Sequence, residues 1–233
     1  MEGALLIERA VASGLAIESL YCVPARASWA RSLLGDGLSP KVLAESEISA
    51  LAGYPFHRGA FALARRPRAL APAEALAPAE AVSADEKRAT ILVLPEIGDP
   101  ENLGSAFRNA AAFGCSALLL GPAGPDPLCR RVLRVSMGAP LLLPWARLRG
   151  PEQLAIVSER AYETAACVLD PDAADLRSWT RPERLALVLG NEAFGLSDPW
   201  LKACRYRITL PMRGGTDSLN VATAAAVILY ALS

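Results

Sequence analysis

Ile208-Thr209-Leu210-Pro211-Met212-Arg213-Gly214-Gly215-Thr216-Asp217-Ser218-Leu219-Asn220 carries an apolar run, Tyr206 to Leu210, into a glycine-containing loop, and an almost wholly apolar helix, Val221 to Leu232, follows. Upstream, Leu185-Ala186-Leu187-Val188-Leu189 is a second apolar run, broken at Gly190-Asn191-Glu192 and Gly195. Short apolar runs bounded by turn residues fit strands buried on both faces. In open parallel sheets, ligands sit beyond the carboxyl ends of the strands. Glycine there lets a backbone come close to a ligand. The two loops therefore define a candidate binding site.

Outward from this stretch, residues 89–233 alternate strand and helix. Expected strands are Ile91–Leu94, Ala117–Leu120, Leu141–Leu143, Ala166–Leu169, Leu185–Leu189 and Arg207–Leu210. Asp99-Pro100 starts a helix over Asn102–Phe113, which Gly114 stops; Pro127–Val135 and Pro151–Arg160 are further helices. The pattern predicts an α/β domain with a mostly parallel sheet covered on both faces. Residues 1–66 form a smaller α/β unit, with helices over Leu5–Val11, 25–34 and Glu45–Leu51 and strands at Ile17–Val23, Lys41–Leu43 and Gly59–Ala64. Between them, residues 67–88 contain a six-residue repeat, Ala69-Leu70-Ala71-Pro72-Ala73-Glu74 followed by Ala75-Leu76-Ala77-Pro78-Ala79-Glu80. Its two prolines oppose a continuous helix and predict a semi-rigid linker.

With 52% apolar and 21% charged residues among 233, the chain can bury a core. Its apolar runs are too short for a membrane span, and Met1-Glu2-Gly3 does not begin a secretory signal, so a cytoplasmic protein is expected. Five scattered cysteines without a C-x-x-C pair indicate free thiols and no metal site. His57 is the sole histidine, which excludes a catalytic centre built on two histidines. The 24 basic and 24 acidic residues cancel, so the net charge does not mark a nucleic-acid binder. Local clusters say more: Arg58, Arg65, Arg66 and Arg68 form one, and Arg130, Arg131 and Arg134 another.

Three constellations carry candidate chemistry. In Asn102-Leu103-Gly104-Ser105-Ala106-Phe107-Arg108 an amide sits in the first helical turn and a guanidinium six residues on; the bland alternative is a capping asparagine and a surface arginine. In Gly190-Asn191-Glu192-Ala193-Phe194-Gly195 a carboxylate follows a buried strand, where it needs a partner unless the turn is solvated. Neither this loop nor any other carries a P-loop or a G-x-G-x-x-G fingerprint. In Ser218-Leu219-Asn220, polar residues precede the last helix and serve either as caps or as a site. That helix, apolar all round from Val221 to Leu229 apart from Thr223, must be buried, and a second copy of the chain is one way to bury it.

Together these segments resemble the SpoU (TrmH-like) family of RNA ribose 2′-O-methyltransferases. Its N-x-G-x-x-x-R motif is Asn102 to Arg108, its L-G-x-E-x-x-G motif is Leu189 to Gly195, and its I-P-M-x-G-x-x-x-S-L-N motif is Leu210 to Asn220, with leucine for isoleucine at the first position. Ser136-Met137-Gly138-Ala139 resembles a fourth, S-x-G-A segment, and the front, Glu2-Gly3 through His57-Arg58-Gly59, resembles the small ribosomal-protein-like substrate-binding domain of one branch. The resemblance implies a deep C-terminal trefoil knot, S-adenosylmethionine as cofactor and a homodimer joined in part through the last helix. It places Gly190, Leu210 and Leu219, flanked by Leu189 and Met212, at the cofactor, and Asn102, Arg108, Glu192, Ser218 and Asn220 in the catalytic site.

The implied reaction is an in-line displacement that aligns a ribose 2′-OH with the cofactor's methyl group. The family assigns Arg108 the activating role. A guanidinium holds its proton too firmly to be a good base. The expected role is therefore a grip on the adjacent phosphate and electrostatic stabilisation of the developing alkoxide. RNA contact is expected from Arg58, Arg65 and Arg66 of the small domain and from Arg130, Arg131 and Arg134. The leading target is 23S rRNA. The alternatives are tRNA, or a non-catalytic RNA-binding or ribosome-associated protein of the same fold.

Overall fold

The computed structural model describes residues 1–82, 88–212 and 218–233. The chain divides into two compact units, Met1–Arg68 and Ala69–Ser233. In the first, α1 (Ala4–Ala12), β1 (Ile17–Cys22), α2 (Ala27–Leu34), β2 (Lys41–Val42), α3 (Glu45–Ala52) and β3 (Ala60–Ala64) follow in order. β1 is the central strand, parallel to β2 and antiparallel to β3. Side chains alternate across a strand, and so Leu20, Cys22, Ala60 and Ala62 share a core with Ile7 of α1 and Ala30 of α2. Tyr21 stacks on Phe61 at 4.7 Å between ring centroids.

The second unit runs α4 (Pro72–Val82), β4 (Ala89–Leu94), α5 (Pro100–Ala112), β5 (Ala117–Leu120), α6 (Arg130–Val135), β6 (Trp145–Arg147), α7 (Ala155–Ser158), β7 (Glu163–Cys167), β8 (Ala174–Asp175), β9 (Arg184–Leu189), α8 (Asp198–Lys202), β10 (Tyr206–Thr209) and α9 (Val221–Leu232). The strands make one sheet, ordered β6-β5-β4-β9-β7-β10-β8, and every neighbouring pair is parallel. Alternate residues enter two cores. Leu92, Leu94, Leu118, Leu185 and Leu187 pack with Leu103 and Phe107 of α5 and Ile228 of α9. Ile91, Val93, Leu119, Ala186 and Val188 pack with Leu76 of α4, Val157 of α7 and Trp200 of α8. This double burial is why β4 and β9 read as unbroken apolar runs.

The expected linker is corrected. Within residues 67–88, Pro72–Val82 is helix α4 and belongs to the second unit, and residues 83–87 lie outside the described residues. Pro72 takes the first helical position, and the Glu74 carboxylate accepts from Ala71 N at 2.8 Å, a helix-starting arrangement. Pro78 removes one ladder bond, but full burial of Ala75 and Leu76 against the sheet holds the helix. Other elements differ as well, and the helix expected over Pro151–Arg160 is a 3-10 turn, Pro151–Leu154, that runs into the four residues of α7. Leu141–Leu143, bracketed by Pro140 and Pro144, is not a strand: Leu141 ends a 3-10 turn, Ala139–Leu141, and the strand forms at β6 instead. The helix at Pro127 starts only at Arg130, because Asp126 turns the chain by accepting from Leu128 N at 3.0 Å. The run Ala166–Leu169 is shifted, since β7 takes its register from β9 (Ala165 opposite Leu187).

Candidate functional site

β4 and β9 are neighbours, yet the chain leaves them toward opposite faces of the sheet. After β4 it enters α5, whose apolar face lies in one core; after β9 it reaches α8, whose Trp200 lies in the other. Such a divergence opens a crevice beyond the strand ends. The loops after β4 and β9 and the segment leading into α9 meet there.

Asp99 caps α5, accepting from Glu101 N and Asn102 N at 2.8 Å each. Asn102 is thereby freed from capping and turns its amide to the neighbouring loop. Its Nδ2 donates to Glu192 Oε1 at 2.9 Å, and its Oδ1 accepts from Asn220 Nδ2 at 2.7 Å. Asn220 is itself the cap of α9, its Oδ1 accepting from Ala222 N at 2.9 Å and Thr223 N at 3.3 Å. Three side chains, one in the first turn of α5, one in the turn after β9 and one capping α9, thus form one directional relay, Asn220 to Asn102 to Glu192. α5 and α9 are also joined directly, Asn109 Nδ2 donating to Ala222 O at 2.8 Å.

The loop after β9 is a closed turn. Asn191 N and Gly195 O are 2.8 Å apart, and Gly195 N and Asn191 O 3.0 Å. Asn191 Oδ1 accepts from Ala193 N at 2.8 Å, while its Nδ2 donates to Glu96 O at 3.0 Å. Glu96 Oε2 then accepts from Ser197 N at 2.9 Å. Glu96 and Asn191 therefore hold Glu192 in place, a role the sequence reading missed because both act largely through backbone groups.

Beside the relay lies a cleft of about 380 Å³, and Leu189, Gly190, Leu210, Met212 and Leu219 all line it, together with Glu192 and Ser218. Its size falls in the range of roughly 300–1,000 Å³ usual for small-ligand pockets. Apolar side chains supply walls, and Asn191, Glu192 and Ser218 bring polar groups to the lining. A Cβ on Gly190 would come within 2.2 Å of the Gly195 carbonyl carbon, so the two backbones touch as only glycine allows. The volume and mixed lining suit a small amphipathic cofactor. Cys167 also lines the cleft, but burial pushes its thiol up to about 11, so it stays protonated and acts as wall, not nucleophile.

Arg108 is not part of this gathering. It is exposed on α5, about 120° around the helix from Asn102, and has no hydrogen-bond or ion-pair partner among the described residues. Gly104 admits a backbone, though it is that of α6: a Cβ there would lie 3.1 Å from Val132 O. Arg58 and Arg66 are exposed, Arg65 reaches Glu18 at 3.3 Å, Arg130 is exposed, Arg134 is half-buried, and Arg131 is committed to Glu101. Of the third motif, residues 213–217 lie outside the described residues. No three His, Cys, Asp or Glu side chains gather as a metal site among the described residues. No helix there is long and apolar enough to cross a membrane.

Comparison with known proteins settles the family. The profile of the SpoU rRNA Methylase family matches residues 89–230. The chain belongs to that family. Among SpoU relatives, an uncharacterized tRNA/rRNA methyltransferase of Mycobacterium bovis is 36% identical over 234 residues, covering 98% of this chain and 78% of the relative. The 23S rRNA guanosine 2′-O-methyltransferase RlmP of Bacillus subtilis is 32% identical over 154 residues, 64% of this chain and 60% of that one. The crystal structure of the SpoU methyltransferase AviRb from Streptomyces viridochromogenes in complex with AdoMet superposes with a TM-score of 0.80 at 25% identity, covering 100% of this chain and 88% of that one.

Proposed function

We propose that this SpoU-family enzyme methylates a ribose 2′-OH of 23S rRNA, with Asn102, Glu192, Ser218 and Asn220 shaping the acceptor site and Arg108 gripping the phosphate beside it. The enzyme is an S-adenosylmethionine-dependent RNA methyltransferase. The observation that carries the residue roles is the Asn220–Asn102–Glu192 relay standing against a cleft of cofactor size. S-adenosylmethionine, when bound, supplies an electrophilic methyl group. Leu189, Gly190, Leu210, Met212 and Leu219 would hold it, largely through backbone groups. Glu192, fixed by Asn102, offers its second carboxylate oxygen as acceptor for the ribose hydroxyl proton and so orients the hydroxyl oxygen. Arg108 neutralises charge that grows on that oxygen as the proton leaves. The rRNA target is supported by the names of relatives such as RlmP.

Further readings belong with this one. The loops after β9 and β10 are proposed to form the trefoil knot; that both line one cleft although β7 separates their strands supports it. The first unit is proposed as the RNA-recognition domain, contacting RNA through Arg58, Arg65 and Arg66, while Arg130, Arg131 and Arg134 serve the catalytic unit. An rRNA target implies a cytoplasmic location. A homodimer through α9 is supported by the helix's outer face, where Val227 is 40% and Tyr230 72% exposed. Light scattering should give the mass of two chains, and Tyr230→Glu with Val227→Glu should give one; a wild-type monomer at micromolar concentration removes this interface.

The deciding experiment is transfer of tritiated methyl groups to total RNA from a strain lacking the gene, followed by mapping of the labelled nucleotide. Label in 23S rRNA supports the proposal, label in tRNA replaces the target, and no label leaves a non-catalytic RNA-binding protein. The relay is tested separately by Asn220→Asp. The aspartate still caps α9, but it faces Asn102 Oδ1 with an acceptor instead of a donor. If Asn102 flips in response, Glu192 loses its donor. The melting temperature should therefore hold while kcat falls about a hundredfold, the scale of a small misplacement in an aligned site. Full activity removes the relay from the mechanism.

A further inference from the structure

Phe194 is the most exposed large apolar residue among the described residues, 91% open, and it stands at the lip of the cleft. Its position is held, not loose. Asn191 Oδ1 accepts from Phe194 N at 3.3 Å, and the Asn191–Gly195 pair closes the turn on both sides. A rigid turn that thrusts an aromatic ring into water gains nothing for folding, since the ring would be more stable buried. The ring is also two residues beyond Glu192, whose carboxylate is fixed by Asn102. One turn thus carries a polar group suited to a ribose hydroxyl and a flat apolar face beside it. In a nucleotide, ribose and base are adjacent in the same way, and unstacked RNA bases are commonly received on aromatic rings.

We propose that Phe194 is the stacking platform for the nucleobase of the nucleotide being methylated, or of its immediate neighbour, and so a positioning residue for the RNA. The inference rests on the acceptor-site reading given above. Phe194 lines the cleft together with Leu189 and Gly190, but Leu189 is 3% exposed and Phe194 91%, so the ring keeps open surface that a base can cover. Stacking is sequence-tolerant, because every base has a π-face. The ring would accordingly help splay the nucleotide without choosing its identity.

The test compares Phe194→Ala, Phe194→Leu and Phe194→Tyr in the full-length enzyme. Methyl transfer to unmethylated 23S rRNA transcript gives KM for RNA, and calorimetry without RNA gives the Kd for S-adenosylmethionine. The alanine and leucine variants should raise KM for RNA by about tenfold or more, from loss of one base–aromatic stack. Cofactor Kd and melting temperature should stay at wild-type values, and tyrosine should restore KM. Leucine rescue, which would show generic apolar contact, overturns the proposal, as does a weakened cofactor Kd or an unchanged KM. Wild-type enzyme that methylates no RNA at all is a different failure, and falls on the acceptor-site reading itself.

Discussion

Replacing Arg108 with lysine is expected to lower kcat by about 10²–10³, the loss typical of removing one preorganised charge-stabilising donor, with no change in melting temperature or cofactor affinity. The two unchanged quantities follow from its surroundings. Arg108 is exposed, outside the cleft, and without a hydrogen-bond partner among the described residues. Nothing in the folded unit leans on it. In its proposed role its partner is the RNA, and a guanidinium can hold a phosphate through two parallel hydrogen bonds where an ammonium is only a point charge. Lysine keeps the charge and removes the fork, so the variant separates the two contributions. Arg108→Ala should be slower still, losing both. Near-wild-type turnover by the lysine variant at pH 8 would eliminate a specific guanidinium role. Arg108 lies about 120° around α5 from Asn102 and takes no part in the Asn220–Asn102–Glu192 bonds, so its loss should leave that relay intact.

How far the sequence discloses such a site depends on what each residue works through. The strands β4 and β9 were readable because burial on both faces writes an unbroken apolar run. β6 and β8 were not, because strands of three and two residues at the sheet edges exist only through their neighbours. α4 shows tertiary burial overriding a local signal, as two prolines argued against a helix that Ala75 and Leu76 nevertheless anchor. At the site, motif spacing singled out Asn102, Glu192 and Asn220 individually. Their connection was hidden, since the bonds span 90 and 118 residues and require β4 to lie beside β9. Glu96 and Asn191 were invisible for a further reason: they act on peptide groups, which leave no trace in side-chain pattern. In Gly190-Asn191-Glu192-Ala193-Phe194-Gly195 the carboxylate after a buried strand is what stands out, and nothing in the spacing marks Phe194 as the ring the turn exposes.

The second large effect is expected at Gly190, where alanine should abolish detectable S-adenosylmethionine binding. The added Cβ would lie 2.2 Å from the carbonyl carbon of Gly195 and 2.3 Å from Leu196 N. Both are backbone atoms, so no rotamer change relieves the clash, and overpacking of this kind costs about 1–3 kcal/mol or more. Where the strain goes is decided by the neighbouring bonds. β9 is locked between β4 and β7, with Val188 paired to Ala166 and Leu189 to Cys167, so the turn after it must move instead. Moving the turn opens the Asn191–Gly195 pair, draws Ser197 N from Glu96, and shifts Glu192 away from Asn102. The cofactor wall and the acceptor side of the site should therefore fail together, with a modest fall in melting temperature because both cores of the unit remain packed. Gly37→Ala is the control: its Cβ would meet nothing within 4 Å, and binding and melting should match wild type. Calorimetric titration separates the outcomes. A folded Gly190→Ala protein that binds S-adenosylmethionine as tightly as wild type would mean that the cofactor does not sit against the turn after β9, and the assignment of Leu189, Gly190 and Leu219 to it would fall with that result.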